Sequence, residues 1–308
     1  MTMLVTFFEP GAEVEQWLDE LRALLPGAVV EPWTPGAAPA EYAVVWAPPQ
    51  QLIDEQTRHK ALFNIGAGVD RLLQLQLPPS LKVVRLDDAG MGVQMAEYVC
   101  HALIRHFREF DVYSMQEAES RWTQRTPPTR PQFPVGIMGL GVLGQRVAQA
   151  VRQFDFPLVG WSRTPRRVEG IRCFAGKARF AEFLAATKVL VCLLPLTDGT
   201  RDILCHDSLS RLQQGAYVIN VARGGLLVED DLLALVDSGH LAGATLDVFH
   251  TEPLPPDHPF WRHPKIRVTP HISAQTRRDE SIAQIAGKIL ALERGEPIAG
   301  IVDLQRGY

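Results

Sequence analysis

A chain of 308 residues, 46% of them hydrophobic, carries more apolar surface than one core ordinarily holds, so two domains are expected, with no need of disulfide or metal staples. A formal charge of −4 excludes a general attraction to nucleic acid or to an anionic membrane surface, and no apolar run approaches the ~20 residues of a bilayer span. Cys100, Cys173, Cys192 and Cys205 stand far apart without CxxC spacing, and the opening MTMLVTFFEPGAE has neither a basic region nor a long apolar one, so a reducing, cytoplasmic setting is expected.

In chain order, MLVTFF, AVVEPW, YAVVWAP, ALFNIGAG and KVVRLDD read as short buried strands, with EVEQWLDELRALL as an amphipathic helix among them. A long helical stretch follows from Gly92 to Trp122, and the four prolines of TQRTPPTRPQFP end it; this run is expected to link into a second domain. Beyond it VGIMG, PLVGW, KVLVCLL, AYVINVA, AGATLDV and IRVT recur with helices between them. That is the rhythm of βαβ units and a parallel sheet, so the class is α/β. A last helix is expected over Gln275 to Arg294.

Within GIMGLGVLGQRVAQAV, Gly139, Gly141 and Gly144 form G-x-G-x-x-G between a strand and a helix. Such a turn admits the backbone close to a pyrophosphate and aims a helix N-terminus at it, which implies a dinucleotide. About 20 residues on, at the end of the next strand, NAD sites place a carboxylate for the adenosine ribose. Here the chain reads WSRTPRR, with Ser162, Arg163, Thr164 and Arg166 at that offset. Guanidinium and hydroxyl groups there imply the 2′-phosphate of NADP, so NADP(H) is expected to be preferred over NAD(H). A solvated basic loop is the competing reading.

Three further residues follow strands of the same series: Arg223 after AYVINVA, Glu252 after AGATLDV and His271 after IRVT. Ligands of open parallel sheets lie beyond the carboxyl ends of the strands, so these side chains can converge there. Singly each has an ordinary explanation, as a surface histidine, an ion-paired arginine or a turn glutamate.

NVARGGLLVEDDLLALVDSGHLAGATLDVFHTEPLP, TPHISA, GLGVLG and LLPLTDGTRDIL together resemble the D-isomer-specific 2-hydroxyacid dehydrogenases. YAVVWAPP, LFNIGAGVD, DDAGMGVQMAEY, FPLVGWSRT and VDLQRGY look closer still to the branch of that family that reduces glyoxylate and hydroxypyruvate. The resemblance implies two Rossmann-like domains with parallel sheets: a discontinuous, flavodoxin-like substrate domain of residues 1–96 and 280–308, and an NAD(P)-binding domain of residues 97–279, with substrate in the cleft between them. It implies that Arg223 holds the substrate carboxylate and carbonyl, that His271 is the acid/base, and that Glu252 orients it. Cofactor contacts are implied at Val142, Leu143, Leu194, Pro195, Thr200, Val221, Ala222 and Asp247, and substrate contacts at Trp46 and at the N–H groups of Ala67 and Gly68. A homodimer is implied, with Trp122 within reach of the partner's site. A reductase of bulkier 2-oxo acids, a short phosphoglycerate-type dehydrogenase and a non-catalytic dinucleotide sensor stay open at this stage.

Overall fold

In the computed structural model, which describes residues 2–11 and 13–307, the chain divides into two units, Met1–Met91 with Thr276–Tyr308, and Gly92–Gln275. Along the first segment run β1 (Leu4–Phe8), α1 (Val14–Leu24), β2 (Val29–Pro32), β3 (Tyr42–Val45), α2 (Gln50–Glu55), β4 (Ala61–Asn64) and β5 (Lys82–Val84). Next come α3 (Met91–Phe107), α4 (Phe110–Ala118), β6 (Val135–Met138), α5 (Val142–Arg152), β7 (Leu158–Ser162), β8 (Arg172–Ala175), α6 (Phe180–Ala185) and β9 (Val189–Cys192). The chain continues through α7 (His206–Leu209), β10 (Ala216–Asn220), α8 (Glu229–Asp237), β11 (Leu241–Leu246), β12 (Ile266–Val268) and α9 (Arg278–Glu293).

The first unit is a parallel sheet in the order β2-β1-β3-β4-β5, the flavodoxin-like arrangement. Its central strands YAVV and ALFN are buried at every position, as strands covered on both faces must be. Helix α9 completes this unit although Gly92–Gln275 intervene. It buries Ile282, Ile285, Ala286 and Ile289 along one stripe. Glu293 then accepts from the Tyr42 hydroxyl at 2.6 Å and from Lys60 at 2.9 Å, while Arg278 pairs with Glu20 on α1 at 2.8 Å and with Glu13, which precedes α1, at 3.1 Å.

The second unit is a seven-stranded parallel sheet in the order β12-β11-β10-β9-β6-β7-β8. Counted from β6 as the first strand, this is the doubly wound dinucleotide-binding order 3-2-1-4-5-6 with one strand more. Helix α5 packs with Gly144, Val147, Ala148 and Val151 buried.

Three local expectations are corrected. The helical stretch from Gly92 to Trp122 is two helices, because Glu109 takes a left-handed φ of 53° between them. Its carboxylate is gripped by Arg125 through two hydrogen bonds of 2.6 and 2.8 Å, which fixes the break. The proline-rich run 123–134 lies inside the second unit and is not a link between the two. Strand β8, RCFA, was not anticipated: at the sheet edge it is only half-buried and lacks a clear apolar run.

Candidate active site

Apart from Trp122, the expected contact residues in the second unit lie at strand carboxyl ends or in the segments that follow them. Gly139 follows β6, Ser162 ends β7, Leu194 and Pro195 follow β9, Val221 to Arg223 follow β10, Asp247 follows β11 and His271 follows β12. The order of the sheet reverses at β6, with β9 on its other side. In such sheets this is where a crevice opens for ligand.

The glycine turn has the shape that a dinucleotide requires. Gly139 has φ +109°, and a Cβ there would lie 2.8 Å from the Leu193 carbonyl; a Cβ on Gly144 would lie 1.8 Å from the Gly139 carbonyl oxygen. Those two glycines are forced by packing. Gly141, which caps α5, would meet nothing within 4 Å, so the space over the helix N-terminus is open. No side chain caps that terminus, and Val142 beside it is exposed. Free N–H groups with the positive end of the helix dipole, facing open space, suit a pyrophosphate.

At the end of β7 the Ser162 side chain is 7% exposed and its hydroxyl donates to the Thr164 carbonyl at 2.8 Å, curling the loop. Arg163, Thr164, Arg166 and Arg167 are exposed, and no carboxylate occurs before Glu169. An NAD-type ribose contact therefore has no acidic acceptor in this loop, whereas a phosphate has cations near it.

The loop after β9 is braced by Thr200, whose hydroxyl donates to the Pro195 carbonyl at 2.7 Å and accepts from the Thr197 N–H at 2.8 Å. Thr200 shapes the loop that Leu194 and Pro195 present. After β10, the fully buried Asn220 uses its amide oxygen to accept from the Ala222 N–H and its amide nitrogen to donate to the Arg223 carbonyl, both at 3.2 Å. The Arg223 guanidinium reaches back to the Ala222 carbonyl at 2.8 Å. Behind it a Cβ on Gly224 would lie 1.9 Å from the carbonyl carbon of Phe249, so this loop presses on the one that carries Glu252.

The Glu252 carboxylate bridges two partners. One oxygen accepts from the Phe249 N–H at 3.0 Å and the other pairs with His271 Nδ1 at 2.8 Å. With Nδ1–H donating to a carboxylate, Nε2 is the ring nitrogen left to exchange a proton with a ligand. Asp247, expected to touch cofactor, is wholly buried, and its carboxylate holds the His271 loop through the N–H groups of Ile272 (2.8 Å) and Ser273 (2.7 Å).

In the first unit, Trp46 directly follows β3, at the point where that sheet's order reverses. Its ring lies on Gly66, where a Cβ would be only 2.6 Å from it. Asn64, buried at the end of β4, donates through its amide nitrogen to the carbonyls of Gly66 and Gly68, both at 2.9 Å. Among the described residues the N–H groups of Ala67 and Gly68 donate to no protein acceptor. With the carbonyls tied inward, the loop keeps donors for an anion.

Residues 99–273 match the family model for the D-isomer specific 2-hydroxyacid dehydrogenase, NAD binding domain. The chain belongs to the D-isomer-specific 2-hydroxyacid dehydrogenase family. It is 45% identical to the glyoxylate/hydroxypyruvate reductase A of Serratia proteamaculans and 42% identical to that of Yersinia enterocolitica, each over 99% of this chain and all of the relative. Among solved structures, a D-isomer-specific 2-hydroxyacid dehydrogenase from Xanthobacter autotrophicus in complex with NADPH and MES is similar with a TM-score of 0.94 and 36% identity, covering both chains fully. The NADPH-dependent glyoxylate/hydroxypyruvate reductase of Sinorhizobium meliloti, in complex with NADP and sulfate, is similar with a TM-score of 0.92 and 32% identity, again over both whole chains. As a 2-hydroxyacid dehydrogenase the chain is an α/β enzyme with Rossmann-type sheets. Asn64 and Asn220 escaped the sequence reading; each is an asparagine directly at a strand end ahead of a glycine-containing loop, and that position is the signal that could have found them.

Proposed function

We propose that this dehydrogenase reduces small 2-oxo acids, glyoxylate to glycolate and hydroxypyruvate to D-glycerate, with NADPH preferred over NADH. The pairing of His271 with Glu252 on strand ends neighbouring that of Arg223 carries the reading. A 2-oxo acid needs a fixed cation for its carboxylate and a proton donor for its carbonyl oxygen, and Arg223 and His271 are of the right chemistry for these tasks. NADPH, when bound, supplies the hydride to the carbonyl carbon. His271 holds the proton on Nε2 for the developing alkoxide, Glu252 fixes the ring through Nδ1, and Arg223 orients the carboxylate by its planar fork. In the first unit, the N–H donors of Ala67 and Gly68 would suit a carboxylate, and Trp46 walls that loop. Gly139, Gly141, Val142, Leu143 and Gly144 would hold the pyrophosphate. Ser162, Arg163, Thr164 and Arg166 would hold the 2′-phosphate, with Leu194, Pro195, Val221 and Ala222 lining the nucleotide.

The test is NADPH oxidation with 2-oxo acids of increasing size, for the wild type and for His271→Asn. Glyoxylate and hydroxypyruvate should outrun phenylpyruvate. The variant should lose about 10²-fold or more in kcat while binding NADPH normally. Undiminished turnover in the variant sinks the role of His271; cofactor binding without flux on any 2-oxo acid would make the protein a dinucleotide sensor.

The active form is a homodimer in the cytoplasm. Val93, Phe110, Met115 and Trp122 are exposed along α3, α4 and the following loop, Trp122 at 97%, which is a surface suited to burial against a second copy. Among the described residues no helix is long and apolar enough to cross a membrane, and the four cysteines are free thiols. A mass of one chain by light scattering at micromolar concentration would refute the dimer.

A further inference from the structure

His271 is held in a left-handed backbone conformation, φ 54°, which is strained for a non-glycine residue and persists only where the surroundings compel it. The loop supplies part of the compulsion, since the His271 N–H reaches the carbonyls of Asp247 (2.9 Å) and Thr269 (3.1 Å). The rest comes from the buried Asp247 carboxylate, which takes the next two N–H groups. A carboxylate with no exposure persists only if donors surround it. Its third donor is the Thr269 hydroxyl at 2.6 Å, and the Tyr98 hydroxyl stands 2.5 Å from that same threonine oxygen.

Proton counting orders this chain. The carboxylate can only accept, and Thr269 has one hydroxyl proton, which goes to Asp247. The Tyr98 hydroxyl must therefore donate to Thr269. Burial, foremost, pushes the Tyr98 phenol up to about 12, so it remains a donor throughout the neutral range. Tyr98 sits on α3, 171 residues from Thr269 in sequence, so the chain ties the histidine loop to that helix just before His271, as the two hydrogen bonds between Gln94 and the Gln275 backbone (2.9 and 3.1 Å) do just after it.

We propose that Tyr98 and Thr269 are positioning residues for the reduction: acting in series through Asp247, they hold His271 in the strained backbone that sets its ring against Glu252. This rests on His271 being the proton donor. If Thr269 loses its hydroxyl, the carboxylate loses a donor and can turn from the Ile272 and Ser273 N–H groups, and the loop is free to relax its φ. A misplacement of about 1 Å costs a reaction of this kind about 10²-fold.

The experiment compares Thr269→Val, Thr269→Ser, Tyr98→Phe and His271→Asn in the full chain, with glyoxylate and NADPH, turnover being referred to the measured number of NADPH sites. Thr269→Val should lower kcat about 10-fold to 100-fold with NADPH affinity and site number kept. Thr269→Ser should restore most of it, and Tyr98→Phe should show a smaller loss in the same sense. A purely structural role would lower the number of NADPH sites or the melting temperature and leave turnover per site unchanged. Unchanged turnover per site in both Thr269→Val and Tyr98→Phe, or failure of Thr269→Ser to rescue, overturns the proposal. If Thr269→Val does not fold, Tyr98→Phe, which leaves Asp247 all three donors, decides alone. Full activity in His271→Asn overturns the proton-donor reading, whereas a dead His271→Asn beside unaffected Thr269→Val and Tyr98→Phe overturns only the bracing.

Discussion

His271 Nδ1 lies 2.8 Å from one oxygen of Glu252, while the other oxygen is fixed at 3.0 Å by the Phe249 N–H. The carboxylate is thus held on both sides and cannot swing away from the ring without breaking a backbone bond. Reduction needs the ring turned so that Nε2 faces the carbonyl oxygen, and this pairing sets that turn. Replacing Glu252 by Gln keeps the size but turns a charge-assisted hydrogen bond into a neutral, weaker one. The kcat for glyoxylate reduction should fall about 10-fold, with NADPH affinity unchanged. Wild-type kcat in this variant would show that the ring keeps its orientation without the carboxylate.

Arg223 is presented by a loop that Asn220 pins from below, and part of its guanidinium is already used on the Ala222 carbonyl. A lysine there keeps the charge but cannot serve that carbonyl and a carboxylate together with the same geometry. Arg223→Lys should raise KM for glyoxylate and lower kcat, with kcat/KM down about 10-fold to 150-fold, the range of one charge-assisted contact. Wild-type kinetics in this variant would make the arginine structural.

Asn64 gives a different signature because it shapes a binding loop. Its amide ties two carbonyls, and leucine at that position would leave both unpaired and let the loop turn. KM for glyoxylate should rise several-fold in Asn64→Leu, about the effect of one to two lost hydrogen bonds, with NADPH affinity unchanged. A variant with normal KM would show that the loop holds its shape without the clamp.

The contrast between Gly139 and Asn64 explains what the sequence disclosed. Gly139 is forced by neighbours within a local turn of strand, loop and helix, so its spacing to Gly141 and Gly144 is visible in a line of text. The alternation of apolar runs likewise announced parallel strands, since strands covered on both faces must be apolar throughout. Strand order was legible only through family resemblance, because it depends on which runs pair across the sheet. The break at Glu109 was hidden, since a glutamate with positive φ has no composition signal and is held by Arg125, 16 residues away. The contact of Tyr98 with Thr269 spans more than half the chain, and no periodicity reports it.

His106 makes a prediction for stability. Its ring stacks on Tyr217 with centroids 4.1 Å apart, and burial, foremost, lowers its pKa from 6.5 to about 4, with Lys188 adding to the shift. The unfolded chain takes up a proton near 6.5 and the folded one only near 4, so stability is lost as pH falls through that window and regained as it rises. His59, lowered to about 4 by burial, acts in the same direction. His106→Gln removes one of the two, so its urea midpoint should fall less between pH 7 and pH 5 than that of the wild type. An equal fall in both proteins would place the acid sensitivity elsewhere.

The cofactor preference turns on the end of β7, where Ser162 is nearly buried and tied to Thr164 while Arg163 and Arg166 stay exposed. If these groups take a 2′-phosphate, NADPH should exceed NADH in kcat/KM, since a charge-assisted phosphate contact is worth about 1.5 to 3 kcal/mol, or about 10-fold to 150-fold. The double change Ser162→Asp with Arg163→Ala acts twice, because the new carboxylate accepts from the ribose hydroxyls and repels the phosphate that has lost its cation. The ratio of kcat/KM for NADPH to that for NADH should fall in the double variant, with the efficiency for NADH itself rising. A loss with both cofactors and no change in their ratio would mean that the loop was damaged without having read the phosphate. Equal use of the two cofactors by the wild type would return the arginines to a solvated basic loop.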